Sequence, residues 1–383
     1  MNPIRVLHLI HRVAFGGTEY GVLKLVNHLD RARFLPSVAG LEESRPEALA
    51  ELSSDVRLYE CRRGEGLDFS LPFRLARECR TGKIEIIHSH NWGTYAYAVA
   101  AARLARVPVV VHGEHGAESA SREISPQRAL LRRLLARGTD HFTVVSAELR
   151  DRLLQDWRIP PDRITLIPNG VDLSRIGPHD RATMKSRLGF SSTDPLIGTI
   201  ATFRPVKDVG TLIRAFAQIR EKLPRSRLVL AGWDPGEAFQ LELAREPGWE
   251  QIRDGIHFLG VRSDISEVLS ALDVYANSSL YEGTSNTILE AMACALPVVA
   301  TNVGGTPDLV VSGETGWLVP AKDPTILASR ILDLIHDPTT AREMGERGRR
   351  RVEQNHSFPE MIHANERLYE SLLAGKFRRP GMA

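Results

Sequence analysis

Apolar residues in this chain fall into short runs separated by stripes of helical period, and the two patterns alternate from end to end. Short apolar runs bounded by turn residues read as buried strands, and apolar residues at spacings of three and four read as one face of a helix. The first half predicts strands at Ile4–Ile10, Leu35–Ala39, Val56–Tyr59, Ile84–His88, Val107–Val111, Phe142–Val145 and Ile164–Ile167. Between them lie helical stretches: a stripe of Val22, Leu25, Val26 and Leu29, then Trp92–Leu104 and Ala147–Gln155. The second half repeats the alternation. Strands are predicted at Leu196–Ala201, Leu228–Ala231, Ile256–Val261, Val274–Ala276 and Val298–Ala300, with helices marked by Leu212, Ile213, Ala215, Phe216 and Ile219 and by Ile288, Leu289, Met292 and Ala293. Pro297 is expected to end the latter helix. Ile326 to Ile335, Arg342 to Glu353, and a last stripe of Met361, Ile362, Leu368, Tyr369 and Leu372 read as helices. Strands alternating with helices define an α/β chain with parallel sheets.

A chain of 383 residues is expected to form two domains. Periodicity is weak from Ser174 to Pro195 apart from a short helix near Met184–Leu188, which places a linker there. The expected division is 1–175, a linker at 176–195, a second domain at 196–357, a last helix at 358–375 and a frayed tail at 376–383 that includes Arg378 and Arg379. Hydrophobic residues make up 43% and charged residues 25%, as in soluble globular proteins. The net charge of +2 argues against a dedicated nucleic-acid partner. Cys61, Cys79 and Cys294 are far apart and odd in number, which fits a reducing compartment without disulfides or zinc spacing. The first residues run directly into a strand, and no apolar run approaches a membrane span, so a cytoplasmic protein is expected. The segment from Glu118 to Arg137 adds one qualification: Arg122, Arg128, Arg132, Arg133 and Arg137 surround a stripe of Leu130, Leu131, Leu134 and Leu135. It reads best as a core helix with a solvated basic face. The other readings are peripheral contact with the anionic inner membrane face and a wall of an acceptor cleft.

Candidate chemistry gathers at predicted strand ends, where parallel sheets bind ligands. Gly16, Gly17 and Glu19 follow the first strand and precede a helix, an arrangement that can cradle phosphate. It is not G-x-G-x-x-G, so a dinucleotide site is disfavoured. His88 and His90 are expected after one strand, and His112, Glu114 and His115 after the next. The His spacing of three in a loop is not that of a helical metal site. Arg204 and Lys207 share a loop after a strand, where two cations suit a diphosphate. In the stretch 278–316, Glu282 and Glu290 stand with seven residues between them. Gly283, Thr284, Ser285 and Asn286 lead into the helix that carries Glu290, and Gly304-Gly305 follow the next strand. A helix start offers unpaired N–H groups to a phosphate. Glu290, expected about two turns on, would accept from neighbouring hydroxyls, and phosphate beside vicinal hydroxyls describes a nucleotide.

EGTSNTILEAMACALPVVAT, the GG that follows it and GETGWLV resemble the Glu-x7-Glu region of retaining glycosyltransferase family 4, also called glycosyl transferases group 1. Gly16, Gly17 and Glu19, the Arg204/Lys207 pair and the Pro168-Asn169-Gly170-Val171-Asp172 turn also match that family. The resemblance implies the GT-B fold, two Rossmann-like parallel-sheet domains facing across a cleft, with the last helix crossing back to the first domain. It implies a nucleoside-diphosphate sugar as donor, UDP-linked or else GDP-linked, and a glycan or lipid-linked acceptor. By the same resemblance Arg204, Lys207 and the helix start after Gly283 hold the diphosphate, Glu282 binds the donor sugar, and Glu290 holds the ribose. Gly16 and Gly17 face the donor phosphates, and a residue near Val261 contacts the base. His115, with His112 as second choice, lies against the sugar. No metal or other cofactor is implied, the nucleotide sugar being a substrate. The His-Gly-Glu-His-Gly segment resembles a subset tied to bacterial exopolysaccharide assembly. Ala295 and Asp308 depart from the commoner Gly and Glu of the family. The rivals are a non-catalytic subunit of the same fold and a sugar-nucleotide 2-epimerase.

Overall fold

A computed structural model describes residues 2–64, 66–116, 126–232, 236, 239, 243–247 and 249–377. Glu118, Arg122, Arg378 and Arg379, named above, lie outside the described residues. The chain divides into two units, Met1–Pro168 with Glu360–Ala383, and Asn169–Pro359.

The first unit contains strands β1 (Ile4–Ile10), β2 (Phe34–Gly40), β3 (Arg57–Glu60), β4 (Ile86–His90), β5 (Val109–Glu114), β6 (His141–Val144) and β7 (Ile164–Leu166). They form one parallel sheet in the order β3-β2-β1-β4-β5-β6-β7. The second unit contains β8 (Leu196–Ile200), β9 (Arg227–Ala231), β10 (Ile256–Gly260), β11 (Val274–Asn277), β12 (Val298–Thr301) and β13 (Gly316–Val319). Its parallel order is β10-β9-β8-β11-β12-β13. In each sheet the order reverses once, between β1 and β4 and between β8 and β11. Loops leaving the two strands at such a reversal diverge and open a crevice at the strands' carboxyl ends. The cores are apolar and dry: Leu7, Leu9, Tyr95 and Phe142 in the first unit, and Leu212, Phe216, Leu230 and Val299 in the second, are wholly buried. Each large side chain so buried contributes about 1.5–3 kcal/mol.

Several boundaries differ from the sequence expectation, with consequences for the chemistry. β4 and β5 each extend further than their apolar residues do. Ladder pairing continues through Ser89 with His112 and His90 with Gly113. His88, His90 and His112 therefore stand within strands and not beyond them. Side chains of a strand alternate between faces, so His88 and His90 share one face. Burying imidazole on that face is possible because each ring finds polar partners. The stretch 176–195, expected as a linker, belongs to the second unit. Its helix Arg181–Arg187 is capped by Asp180, Gly177 N donates to Ser266 Oγ at 3.1 Å, and Lys185 Nζ reaches Asp273 at 2.7 Å.

The last helix runs from Phe358 to Phe377. Within the first unit its Glu366 accepts from Asp30 N at 2.9 Å and pairs with Arg33 at 3.0 Å, while buried Tyr369 meets His88. The helix Pro126–Ala136 inverts the expected pattern. Leu130, Leu131 and Leu134 are exposed, and Arg132 is buried. Its guanidinium lies over the rings of Trp92 and Trp157, 4.9 and 4.7 Å from their centroids, and a planar cation favours such faces.

The helix Asn286–Ala293 ends before Pro297. Ala295 turns the chain with φ of +55°, and Leu296 N returns to Ala291 O at 3.0 Å. A left-handed alanine costs about 1–2 kcal/mol, partly offset by the chain entropy that glycine would lose. Ala295→Gly should therefore stabilise the protein by about 0.5–1 kcal/mol, read as a higher urea midpoint with unchanged slope. An unchanged or lower midpoint would contradict this account of the turn.

Candidate nucleotide-sugar site

The second unit builds its candidate site at the β8/β11 reversal. After β8 comes the segment Thr202-Phe203-Arg204, then a single 3-10 turn at Pro205–Lys207. Asp208 caps the next helix, Val209–Lys222, with its carboxylate on Thr211. After β11 comes Ser278 to Ser285. The two loops are stitched together by their backbones: Leu280 N donates to Val206 O at 2.8 Å, and Ser278 Oγ donates to Lys207 O at 3.0 Å.

Their side chains meet at Glu282, which is only 6% exposed. Its Oε1 accepts from Lys207 Nζ at 2.7 Å, Ser279 Oγ at 2.6 Å and Asn277 Nδ2 at 3.1 Å. A carboxylate taken out of water needs such donors. Its Oε2 has no protein partner among the described residues. Lys207 Nζ has two further N–H groups to offer. Arg204, on the same turn, is exposed and makes no ion pair among the described residues.

The backbone around Glu282 is fixed from below. Gly305 N donates to Glu282 O at 2.9 Å. Gly304 has φ of +54°, and a Cβ there would sit 1.8 Å from that carbonyl oxygen. Gly283, Thr284 and Ser285 are buried. Ser285 caps the helix Asn286–Ala293, its Oγ accepting from Ile288 N. Asn169, in the Asn-Gly turn, secures the same corner: its Nδ2 donates to Thr284 O at 3.1 Å and to Asn286 Oδ1 at 2.9 Å. Glu290 is half-buried one turn into this helix, closer to its start than the expected two turns. Val261 is exposed beyond β10, on the far side of β9 from β8. The second unit thus brings Lys207, Glu282, Gly283, Thr284, Ser285 and Asn286 together, with Arg204 on the rim.

The first unit places its candidates at the ends of β1, β4 and β5. Gly16 is the extended cap of the helix Gly17–His28, and the carboxylate of Glu19 folds back over it. Asn91 joins this loop to His115. Its Nδ2 donates to Thr18 Oγ1 at 3.1 Å, and its Oδ1 accepts from His115 N at 3.2 Å. Asn91 has φ of +65° with ψ of 162°, outside the left-handed helical well and in a region that residues other than glycine rarely occupy, and its two side-chain bonds hold it there.

His112 is sealed: it is 0% exposed, stacks 3.7 Å from Tyr95, and shares its ring nitrogens with Ser89 at 2.8 Å and Glu114 at 2.9 Å. His115 is only partly buried, and its Nε2 lies 2.9 Å from His90 Nδ1. Burial pushes its pKa down to about 4. Gly113 makes room for this ring, since a Cβ there would lie 2.9 Å from His115 Nε2.

Asn91, His90, Asn169, Asn277 and Ser279 carry the geometry. In the sequence His90 reads only as a strand-end histidine and Asn169 only as part of a turn, and Asn91, Asn277 and Ser279 do not stand out at all. The available signal was position: each directly follows, ends or flanks a strand whose neighbour is a candidate. Among the described residues, His8, His88 and His90 form a set of three ring donors within 4.8 Å. His88 is already engaged by Tyr369 at 2.7 Å and Thr143 at 3.2 Å, and His90 by His8 and His115.

Residues 15–175 match the family model described as Glycosyltransferase Family 4, and residues 180–351 match Glycosyl transferases group 1. The chain is 27% identical over 316 residues, 80% of each sequence, to N-acetyl-alpha-D-glucosaminyl L-malate synthase of Bacillus anthracis. It is 30% identical over 288 residues to the putative glycosyltransferase EpsD of Bacillus subtilis, covering 72% of this chain and 74% of that one. Among solved structures, HepE of Anabaena in complex with UDP and glucose superposes with a TM-score of 0.84 at 20% identity, covering 96% of this chain and all of that one. Sucrose-phosphate synthase of Thermosynechococcus elongatus superposes with a TM-score of 0.81 at 24% identity, over 97% of this chain and 100% of that one. The chain belongs to glycosyltransferase family 4 and carries the GT-B fold.

Proposed function

We propose that this glycosyltransferase moves a hexosyl group from a UDP-sugar to a glycan or lipid-linked acceptor in bacterial polysaccharide biosynthesis, with retention of configuration and without a metal. The observation that carries the reading is the half-used ion pair. Lys207 and Glu282 hold one another, yet Lys207 keeps N–H groups and Glu282 keeps Oε2 for a ligand. A diphosphate takes the first and a sugar hydroxyl the second. The start of the helix Asn286–Ala293 adds about 0.3–1 kcal/mol for a negative charge placed there, and Arg204 supplies a bidentate cation. UDP is preferred to GDP because HepE, of the same fold, carries UDP and glucose.

In the reaction the anomeric carbon parts from the diphosphate oxygen and bonds to an acceptor hydroxyl on the same face. The acceptor's proton passes to the departing phosphate. Charge accumulates on the diphosphate, so Lys207, Arg204 and the helix start stabilise the transition state more than the ground state. These cations fill the role that a metal has elsewhere. Glu290 binds the ribose, Val261 lies by the base, Gly16 and Gly17 leave backbone open to the phosphates, and His115 orients the sugar. Glu282 is a binding group and not a nucleophile, since transfer on one face with the departing phosphate taking the acceptor proton needs no glycosyl-enzyme bond of the glycosidase kind.

Work in the cytoplasm with contact to the inner membrane face fits the exposed Leu130, Leu131 and Leu134 beside Arg128 and Arg133. Among the described residues no helix is long and apolar enough to cross a membrane.

Metal-free calorimetric titration with UDP and GDP tests the donor assignment. UDP should bind with a Kd on the order of micromolar, about −8 kcal/mol. Lys207→Ala and Glu290→Ala should each weaken it about 10- to 100-fold. Once a sugar is found by screening, Lys207→Ala should lower kcat about 10²- to 10³-fold, as for loss of one transition-state donor. A folded protein that binds neither nucleotide, or variants that bind as tightly as the parent, would remove the assignment.

A second test probes the support of Glu282. Gly304→Ala forces a Cβ onto the Glu282 carbonyl at positive φ, whereas Gly17→Ala meets nothing within 4 Å. Gly304→Ala should destabilise by about 2 kcal/mol and weaken UDP binding, seen in thermal melts and titration. Gly17→Ala should melt as the parent does. Equal behaviour of the two would refute the role given to Gly304.

A further inference from the structure

Three imidazoles stand in series in the first unit. His8 of β1 and His90 of β4 have nearly parallel rings, 9° apart, and His8 Nδ1 lies 3.1 Å from His90 Nε2. His90 Nδ1 in turn lies 2.9 Å from His115 Nε2. Both nitrogens of His90 are thereby used. At the inner end, His8 Nε2 is buried and has no partner. At the outer end, His115 Nδ1 has no partner among the described residues, and the ring is partly accessible.

A neutral imidazole carries one N–H, so such a series has two self-consistent polarities. In the first, His8 donates from Nδ1 to His90, His90 donates from Nδ1 to His115, and His115 carries its remaining proton on Nδ1. The buried orphan is then an acceptor, His8 Nε2. In the second, every bond is reversed: His115 Nδ1 becomes a bare acceptor, and His8 Nε2 becomes a buried N–H with nothing to accept it. Among buried backbone groups an orphaned N–H is rarer than an under-satisfied acceptor, and the same preference applied to His8 Nε2 selects the first polarity.

The rings that face the series are His88, His112 and Tyr369, and Glu114 is the nearby carboxylate. Burial lowers His8 to about 3, His115 to about 4, and His90 well below its usual value, so all three are neutral near pH 7.

We propose that His8 and His90 are positioning residues that hold His115 as its Nδ1–H tautomer, so that it offers a hydrogen-bond donor and not a base to an oxygen of the sugar nucleotide. The second half of this statement rests on the donor-site reading above; the first does not. Adjacent hydrogen bonds in a low-dielectric interior polarise one another, so the tautomer bias at His115 depends on His8, two rings away. A ring held in this way is also fixed in direction, because rotating it would break the bond to His90.

The test uses the full chain labelled with 15N-histidine and read by two-bond proton–nitrogen correlation, which distinguishes the tautomers. Single histidine variants assign the signals. His115 should appear with its proton on Nδ1. His8→Leu removes the inner donor and should turn His115 into a mixture of tautomers. His8→Asn restores an N–H where Nδ1 stood and should return His115 to a single form. A proton on Nε2 of His115 in the parent, or no change at His115 in His8→Leu, would overturn the proposal. Stoichiometric Zn²⁺ that displaces the His8, His88 and His90 signals together would also overturn it, because the cluster would then be a metal site. UDP-glucose added to the same sample separates the two readings. A shift of the His115 Nδ1 signal supports both. An unmoved His115 of the expected tautomer leaves the role of His8 and His90 standing and removes His115 from the donor site.

Discussion

The ion pair of Lys207 with Glu282 turns two loops of the second unit into one surface. Neither loop has much regular structure, and each leaves a different strand of the β8/β11 reversal. Glu282 is too deeply buried to rely on water, and an unpartnered carboxylate there would be strongly destabilising. Its three donors come from the loop after β8, from the end of β11, and from the loop that follows. The carboxylate thus fixes the position of the lysine, and the lysine supplies one of the three donors that the buried carboxylate needs. All three donors converge on one oxygen. The pair is complete as a structural element while its outer atoms remain available to a ligand.

The surrounding elements keep that geometry in place. Gly304 approaches the Glu282 carbonyl more closely than any side chain would permit, and Gly305 N donates to it. Asn169 holds the first turn of the following helix from a loop distant in sequence. Displacing Glu282 by an ångström would therefore disturb the lysine, the helix start and the glycine turn together. Precise placement has that requirement: charged groups aid a reaction only if they are held where charge develops. The positive-φ Ala295 shows the opposite tolerance. It sits at the far end of the same helix, away from Glu282, and its strained turn affects stability without touching the charged cluster.

The α/β alternation, both parallel sheets and the clustering of Arg204, Lys207, Glu282 and Glu290 in one half of the chain were legible in the sequence, because each depends on periodicity or on local motif. Less legible were features set by partners distant along the chain. The strand ends at His90 and Glu114 were missed because His, Ser and Gly do not read as strand residues, and only the ladder across β4, β5 and β6 extends them. Arg132 was expected among the solvated arginines, but two tryptophans far from it in sequence accept its flat cation. The stretch 176–195 looked like a linker because its apolar content is low. It is held by polar contacts, Lys185 with Asp273 and Gly177 with Ser266, and by Ile176, Met184, Leu188 and Phe190 packed on the core, too few and too irregularly spaced to read as a stripe. Asn91 was invisible as a site residue, and Asn169 was legible only as part of a turn: an asparagine that pins two loops has no periodicity to reveal it.

The two units treat charge in opposite ways. The second offers a cationic pair and a helix start, suited to a group that becomes more negative as it leaves. The first offers imidazoles that burial keeps neutral, with His115 lowered to about 4. Sugar transfer creates both signs of charge at once: negative on the diphosphate and positive at the anomeric centre. A neutral, oriented imidazole supplies a dipole and a hydrogen bond without adding a positive charge of its own. Desolvation is the leading cause of that neutrality, since it disfavours the charged form of His8, His88, His90 and His115, and at His88 and His90 the neighbouring imidazoles act in the same direction. The close packing of His8, His88 and His90, which as isolated residues would be a poor choice for a strand interior, is then a coherent design. Their mutual burial disfavours charge on these rings, and the bonds of His8 and His90 are the ones proposed to decide which nitrogen of His115 carries the proton.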